Sequence, residues 1–91
     1  MARSVRGRGR IERAGQPLGD VVATLYVVDA HGYDRGEWGG TLTGALDWSS
    51  VSYGEELTLR IEDSGAGTFL VRQRVIAEDG VYIEGVGLPP G

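Results

Sequence analysis

One stretch of the sequence, "DAHGYDRGE", contains side chains that could bind a metal ion or accept a proton. It includes His31, the single histidine of the 91-residue chain, together with Asp29, Asp34 and Glu37. One imidazole and two carboxylates could ligate a divalent cation, and a histidine beside a carboxylate could act as a general base. The glycines of the stretch are typical of a solvated loop, and no nucleophile or oxyanion site accompanies it. We therefore expect neither a metal site nor a catalytic base here.

Other catalytic arrangements are also missing from the sequence. The carboxylates that occur as neighbours form the doublets Glu55–Glu56, Glu62–Asp63 and Glu78–Asp79. Adjacent residues of a strand point to opposite faces, so a doublet is not a facing acid–base pair. Cysteine is absent, which excludes disulfides, thiolate catalysis and cysteine-ligated metals. The chain has no Gly-x-Ser-x-Gly elbow and no phosphate-binding loop. We expect a protein that is not an enzyme and that uses no cofactor.

The N-terminal segment is basic, although the chain as a whole is acidic. Residues 1–13 carry five arginines and one glutamate, a charge of +4, and the remainder carries four arginines and twelve acids, a charge of −8. Guanidinium groups bind phosphates in a bidentate manner and stack on bases, so this segment is a candidate site for single-stranded nucleic acid. The candidate residues of that site are Arg3, Arg6, Arg8, Arg10 and Arg13.

A strand is the alternative interpretation of the same segment, and we favour it. Alternation of period two would place Val5, Gly7, Gly9 and Ile11 on one face and Arg6, Arg8, Arg10 and Glu12 on the other. We expect a strand from about Ser4 to Arg13 whose arginines face solvent and are balanced by Glu62 and Glu84 of neighbouring strands. The negative charge of the other residues would also repel a polyanion.

Aromatic residues are concentrated in one part of the chain. Tyr33, Trp38, Trp48 and Tyr53 are four of its seven aromatic residues and lie within 21 positions. A cluster of tryptophan and tyrosine side chains could form a contact surface for a ligand or a protein partner. The same side chains could instead close the open ends of a small barrel, and both interpretations remain open. If the protein binds a partner, we expect these residues to contact it.

The elements that would position these residues are all strands. Short runs of β-branched and aromatic residues alternate with Gly, Pro and Asp, and no run has a helical period. The predicted strands cover about 4–13, 21–29, 40–46, 57–62, 68–77 and 81–86. The second of them is apolar on both faces, which predicts a strand covered on two sides. We predict one all-β domain over residues 1–91, a small antiparallel β-barrel of about six strands, with a two-sheet β-sandwich as the alternative.

These features favour a function in binding rather than in catalysis. We expect a non-catalytic interaction module or a subunit of a homo-oligomer, whose partner is another protein chain or a second copy. The alternative is a small barrel that binds single-stranded nucleic acid through the N-terminal arginines, with stacking from Tyr33, Trp38 or Tyr53. No apolar run approaches the roughly 20 residues that span a bilayer, and no apolar segment follows the first arginines. We expect a soluble, cytoplasmic protein without a membrane partner; a small-molecule ligand stays open.

Overall fold

The chain forms a closed antiparallel barrel of six strands. The computed structural model describes residues 2–28, 36–44, 46–75 and 80–90. Its elements are β1 (Ala2–Arg13), β2 (Gln16–Val28), β3 (Glu37–Thr43), a short 3-10 turn (Trp48–Ser50), β4 (Glu56–Ile61), β5 (Gly65–Val75) and β6 (Gly80–Val86). The strands follow one another around the barrel in the order β1-β2-β3-β6-β5-β4. The predicted all-β barrel is thus confirmed, and the alternative sandwich is not formed. No helix within the described ranges has the length and apolar character needed to cross a bilayer.

A two-residue turn joins β1 to β2. Ala14 and Gly15 both have positive φ, 50° and 83°, and Arg13 is aligned with Gln16 across the turn. Positive φ at both central residues matches the twist of a tight hairpin. The sequence predicts a longer turn, through Gly19, but β2 already begins at Gln16. Pro17 is tolerated within the strand because the register shifts at this point, between Ile11 and Glu12 of the partner strand.

The interior of the barrel is filled by side chains from every strand. In β4 the alternation is as predicted, with Leu57, Leu59 and Ile61 buried and Arg60 exposed. Burying one aliphatic side chain of this kind stabilises the fold by about 1.5–3 kcal/mol. Within the described ranges, the buried apolar residues also include Ile11, Val21, Ala23, Leu25, Val27, Trp38, Leu42, Trp48, Val51, Phe69, Val71, Val81 and Ile83.

Strand β1 is part of the barrel, as the period-two alternation predicts. It pairs with β2 along its whole length, from Ala2↔Val28 to Arg13↔Gln16. Ile11 is fully buried and Val5 packs against the core, while the arginines between them are exposed. The basic segment is therefore a strand of the fold and not a loose arm.

Strand β2 differs from its prediction on one side. Its inward residues are buried, but Val22 is 38 % exposed and Tyr26 is 45 % exposed. No described element covers this outer side, so the prediction of a strand covered on both sides is wrong for the single chain. An apolar outward residue looks the same in the sequence whether a neighbouring layer covers it or solvent does.

Candidate functional site

An uncharged patch with two exposed tyrosines crosses three neighbouring strands on the outside of the barrel. It consists of Val22, Thr24 and Tyr26 of β2, Thr41 of β3 and Tyr82 of β6, and we call it the tyrosine face. Thr24 is aligned with Thr41, and Thr41 with Tyr82, so these three side chains form one row across the sheet. Tyr26 is 45 % and Tyr82 48 % exposed. Tyrosine supplies a large apolar surface together with a hydroxyl group, which suits it to protein interfaces.

The two tyrosines border an open groove. The groove has a volume of about 450 Å³ and is lined by Tyr26, Gly40, Thr41, Arg72, Tyr82, Ile83 and Glu84. A Cβ atom on Gly39 would lie 3.1 Å from the Tyr26 hydroxyl oxygen, so the tyrosine lies across this glycine. Arg72 and Glu84 form an ion pair of 2.8 Å at the rim. Because both side chains are more than half exposed, this pair contributes little stability.

Three arginines form a second feature on the outer side of β1. Arg6, Arg8 and Arg10 occupy alternate positions of the strand and are all exposed; we call them the arginine row. None of them forms an ion pair or a side-chain hydrogen bond with any residue that the structure describes. The row is therefore a line of exposed positive charge.

The two carboxylates expected to balance these arginines do not pair with them. Glu84 belongs to β6, which lies between β3 and β5, and it pairs with Arg72. The backbone N–H of Glu62 donates to the Arg8 carbonyl oxygen at 2.9 Å, but its carboxylate forms no ion pair with a described residue. The expectation is wrong for Glu84, because strand order around a barrel does not follow strand order in the chain. Glu62 does lie beside the row, as expected, but without an ion pair to a described arginine.

Carboxylates nevertheless lie next to the row. A groove of about 750 Å³ runs between the outer side chains of β4, β1 and β2, and it is lined by Arg8, Gly9, Arg10, Asp20, Val22, Arg60, Ile61 and Glu62. Arg60 is bound to Glu12 at 2.8 Å. The groove thus mixes positive and negative groups, and a continuous polyanion would meet both.

The other two candidate arginines are separated from this row. Arg13 donates from Nη2 to Glu55 and to the Ser50 carbonyl oxygen, at 3.0 Å each, and its Nε also contacts Glu55. This hydrogen bonding from Arg13, with a further bond from the Ser52 backbone, lowers the pKa of Glu55, and the same contact raises the pKa of Arg13. Arg3 lies near the opposite end of the strand, aligned with Val27. Arg6, Arg8 and Arg10 thus form a row of their own, without an ion pair to any residue that the structure describes.

The N-terminal part of β1 has an open side. Strand β4 pairs with β1 only from Gly9 to Glu12, whereas β2 pairs with it from Ala2 onwards. Residues Ala2–Gly7 therefore have a neighbouring strand on one side only, among the strands that the structure describes; we call this stretch the open edge. Unpaired N–H and C=O groups along such an edge are able to bond to an additional strand.

The four aromatic residues singled out from the sequence do not form one surface. Trp38 is 1 % and Trp48 8 % exposed, and both belong to the core. Tyr53 is 60 % exposed, and the Arg74 guanidinium lies 5.3 Å from its ring centroid. Tyr33 lies outside the described residues. The two tryptophans thus fill the barrel, the second of the two interpretations, and offer no ring face to a partner.

The tyrosine face was missed by sequence reasoning, although a signal for it was present. In "VVATLYVV" the residues Val22, Thr24 and Tyr26 share one phase of the alternation, opposite Val21 and Leu25. A threonine and a tyrosine on the same side of a strand are compatible with exposure of that side. The interpretation of β2 as apolar on both sides overlooked this.

The possible metal site falls largely outside the described ranges. His31, Asp29 and Asp34 are not among the described residues, and Glu37 is an exposed residue at the start of β3. Within the described ranges, no three His, Cys, Asp or Glu side chains are close enough together to hold a metal ion. At the short 3-10 turn, the Asp47 carboxylate accepts a hydrogen bond from the Ser49 backbone N–H at 3.1 Å. This is an ordinary capping bond.

The described residues define a small closed antiparallel barrel with an uncharged tyrosine face, an arginine row and an open strand edge. Comparisons with protein-family models, with curated proteins and with solved structures found no match. The function is therefore inferred from the geometry and charge of this chain.

Proposed function

We propose that the protein is a non-catalytic β-barrel that works by binding another protein chain through the tyrosine face. The observation that carries this proposal is the pair of half-exposed tyrosines, Tyr26 and Tyr82, on either side of Thr41 in an uncharged stretch of sheet. Tyrosine is enriched in protein interfaces, whereas charged residues are depleted from interface centres. The tyrosine face has this composition.

A second copy of the chain is the partner that the charge distribution favours. Each chain carries a net charge of −4, so two copies repel each other through most orientations. The tyrosine face contains no charged residue, and the carboxylate that borders it, Glu84, is paired with Arg72, so two copies that meet there bring no unpaired carboxylate of this groove together. A patch that meets its own copy about a two-fold axis is complementary to itself. Association would also add buried apolar surface to a small domain.

The experiment measures molar mass by light scattering during size-exclusion chromatography, from low to high micromolar concentration. We expect the wild-type chain to form a dimer and the double variant Tyr26→Ser/Tyr82→Ser to remain monomeric. Tyr53→Ser is the matched control, because it removes an exposed tyrosine from another part of the barrel and should leave the dimer unchanged. A wild-type chain that stays monomeric at every concentration would overturn self-association.

Binding of single-stranded nucleic acid is the second candidate, and the unpaired arginine row supports it. Arg6, Arg8 and Arg10 have no ion-pair partner among the described residues. Tyr26 is diagonal to Arg6 across the β1–β2 pair, within reach for stacking. Three phosphate contacts would give a salt dependence with a logarithmic slope of about −2. Fluorescence anisotropy with labelled single strands at two salt concentrations measures this slope, and no binding at low salt would exclude the function.

A further inference from the structure

We propose that the open edge of β1 binds an extended peptide segment as an added strand, and that the outward side chains of this segment are acidic at alternate positions. The site involves Ala2–Gly7 with the exposed guanidiniums of Arg6 and Arg8. Its backbone groups point to the β4 side of β1, although Arg6 and Arg8 are aligned with Thr24 and Val22 of the tyrosine face across the β1–β2 pair. Neither Tyr26 nor Tyr82 is part of the site, so the inference goes beyond the proposed function and does not depend on it.

The backbone geometry of β1 supplies the first argument. The Arg8 carbonyl oxygen accepts from Glu62, which shows that the backbone groups of Arg8 point towards β4. In an antiparallel sheet the N–H and C=O groups of alternate residues point to the same side. The backbone groups of Ser4 and Arg6 therefore also point to this side. There β4 has already ended at Ile61, and no described strand bonds to them.

The side chains on the outer face supply the second argument. Arg6 and Arg8 are exposed and unpaired within the described chain, and two strand residues separate them by about 6.8 Å. Outward side chains of an added strand have the same spacing and would lie about 4.5–5.5 Å from their cross-strand neighbours. Glutamate or aspartate at every second position would place one carboxylate opposite Arg6, where bidentate bonds form. The Arg8 carbonyl oxygen is already bonded to Glu62, so the Arg8 guanidinium is the diagonal neighbour of that carboxylate.

The inner side of the edge favours an apolar residue between the acidic ones. Val5 is half-buried and packs against the core. Gly7 has no side chain, and a Cβ atom placed there would have Ile61 Cγ2 at 3.5 Å as its one close neighbour. The inner side next to Gly7 thus has room for a side chain from the added strand. The partner segment is therefore an extended peptide in which acidic and apolar residues alternate.

Charge distinguishes this partner from the other occupants of the edge. The β1 strand of a second copy would bring the arginines of the two strands close together, directly opposite or diagonal according to the register, which is unfavourable. A single-stranded nucleic acid presents continuous negative charge to a groove that also contains Asp20 and Glu62, and its backbone has no N–H groups to donate to the carbonyls of Ser4 and Arg6. A peptide strand satisfies both the backbone and the arginines.

The experiment uses the full chain and fluorescein-labelled synthetic peptides in anisotropy titrations. The probe alternates glutamate and valine. One control peptide carries lysine in place of glutamate, and another keeps glutamate but has N-methyl groups on alternate backbone nitrogens, so that it keeps its charge and loses its ladder donors. We expect the probe to bind, and each control peptide to bind at least about tenfold more weakly. Amide chemical shifts of Ser4 and Arg6 should change upon binding of the probe.

Variants of the chain complete the test. Arg6→Ser/Arg8→Ser should weaken binding of the probe about tenfold or more, whereas Arg72→Ser, which removes an exposed arginine on β5, should not. Tyr26→Ser/Tyr82→Ser should bind the probe normally, which separates this site from the tyrosine face. Equal binding of the N-methylated peptide, tighter binding of a single-stranded oligonucleotide, or no binding of the probe would each overturn the proposal.

Discussion

Gly9 of β1 lies so close to the backbone of Arg60 in β4 that no side chain fits between them. A Cβ atom placed on Gly9 would lie 2.6 Å from the Arg60 carbonyl oxygen, which is too short for any relaxed contact. This contact lies where β1 meets β4 and the barrel closes, next to the pairing of Gly9 with Ile61. The alternation of arginine with glycine in "RGRGR" therefore has a structural cause. The arginines face solvent, and one of the glycines permits closure.

The two glycines of this segment should respond differently to substitution by alanine. We expect Gly9→Ala to lower the free energy of unfolding by about 1–3 kcal/mol, because the new methyl group forces β1 and β4 apart. Gly7→Ala should be neutral or stabilising by up to about 1 kcal/mol, since its nearest neighbour would be at 3.5 Å and alanine restricts the unfolded chain. Urea unfolding monitored by circular dichroism measures both values. Equal losses in the two variants would contradict the assigned closure of the barrel at Gly9.

Tryptophan fluorescence should show that both indoles are inside the barrel. The chain has two tryptophans, and the exposed fractions of Trp38 and Trp48 are 1 % and 8 %. Iodide is a charged quencher that does not enter an apolar core, so we expect weak quenching of the folded protein and strong quenching in denaturant. The emission maximum should move to longer wavelength on unfolding. Strong quenching of the folded chain would mean that the tryptophans are exposed and available for binding a partner.

The Arg13–Glu55 contact should make part of the stability depend on pH. The pKa of Glu55 is lowered in the folded protein, chiefly by hydrogen bonding from Arg13. A carboxylate with a lowered pKa stabilises the fold above its ordinary pKa, and this contribution disappears as the pH falls through the lowered value. We therefore expect the melting temperature of Glu55→Gln to lie below that of the wild type near neutral pH, and the two curves to converge in acid.

Glu56→Gln is the control for this experiment. It changes the net charge by the same amount but leaves the hydrogen bonds between Arg13 and Glu55 in place. Its melting temperature near neutral pH should therefore lie closer to that of the wild type than the melting temperature of Glu55→Gln does. If Glu55→Gln and the wild type have the same melting temperature near neutral pH, the contact does not stabilise the fold.

The sequence predicts the strands of the barrel well, because apolar and polar residues that alternate along a strand indicate which of its sides is buried. In β4 the apolar residues Leu57, Leu59 and Ile61 alternate with polar ones, and all three are buried. The same holds for Ile11 within the arginine-rich strand. Each of these strands has one apolar side and one polar side, so its sequence permits a single orientation in the barrel, with the apolar side inward.

The candidate site was harder to predict, for reasons that lie in the topology. Tyr26 and Tyr82 are 56 positions apart in the sequence and lie on either side of Thr41 only because β3 is between β2 and β6. Pairing of this kind between distant strands is not contained in local patterns. Trp38 resembled a contact residue because tryptophan is common in interfaces, but its ring fills the interior. Residue type alone does not distinguish these two environments.

Amide hydrogen exchange along β1 should alternate, and this prediction tests the geometry on which the open edge depends. Val5 and Gly7 have backbone groups that point towards β2, where they are aligned with Leu25 and Ala23, so their amides should exchange slowly. The amides of Ser4 and Arg6 point to the open side and should exchange at rates near those of an unfolded chain.

The alternation of fast and slow amide exchange should end where β4 begins to pair with β1. The amide of Arg10 points to the same side as that of Arg6, but Arg10 is aligned with Arg60 of β4, so we expect it to be protected. Nuclear magnetic resonance after transfer into deuterated water measures each amide separately, at a concentration below that at which the chain associates. Slow exchange at Ser4 and Arg6 as well as at Arg10 would mean that another part of the chain already covers the edge. An added peptide strand would then have no backbone groups to bind.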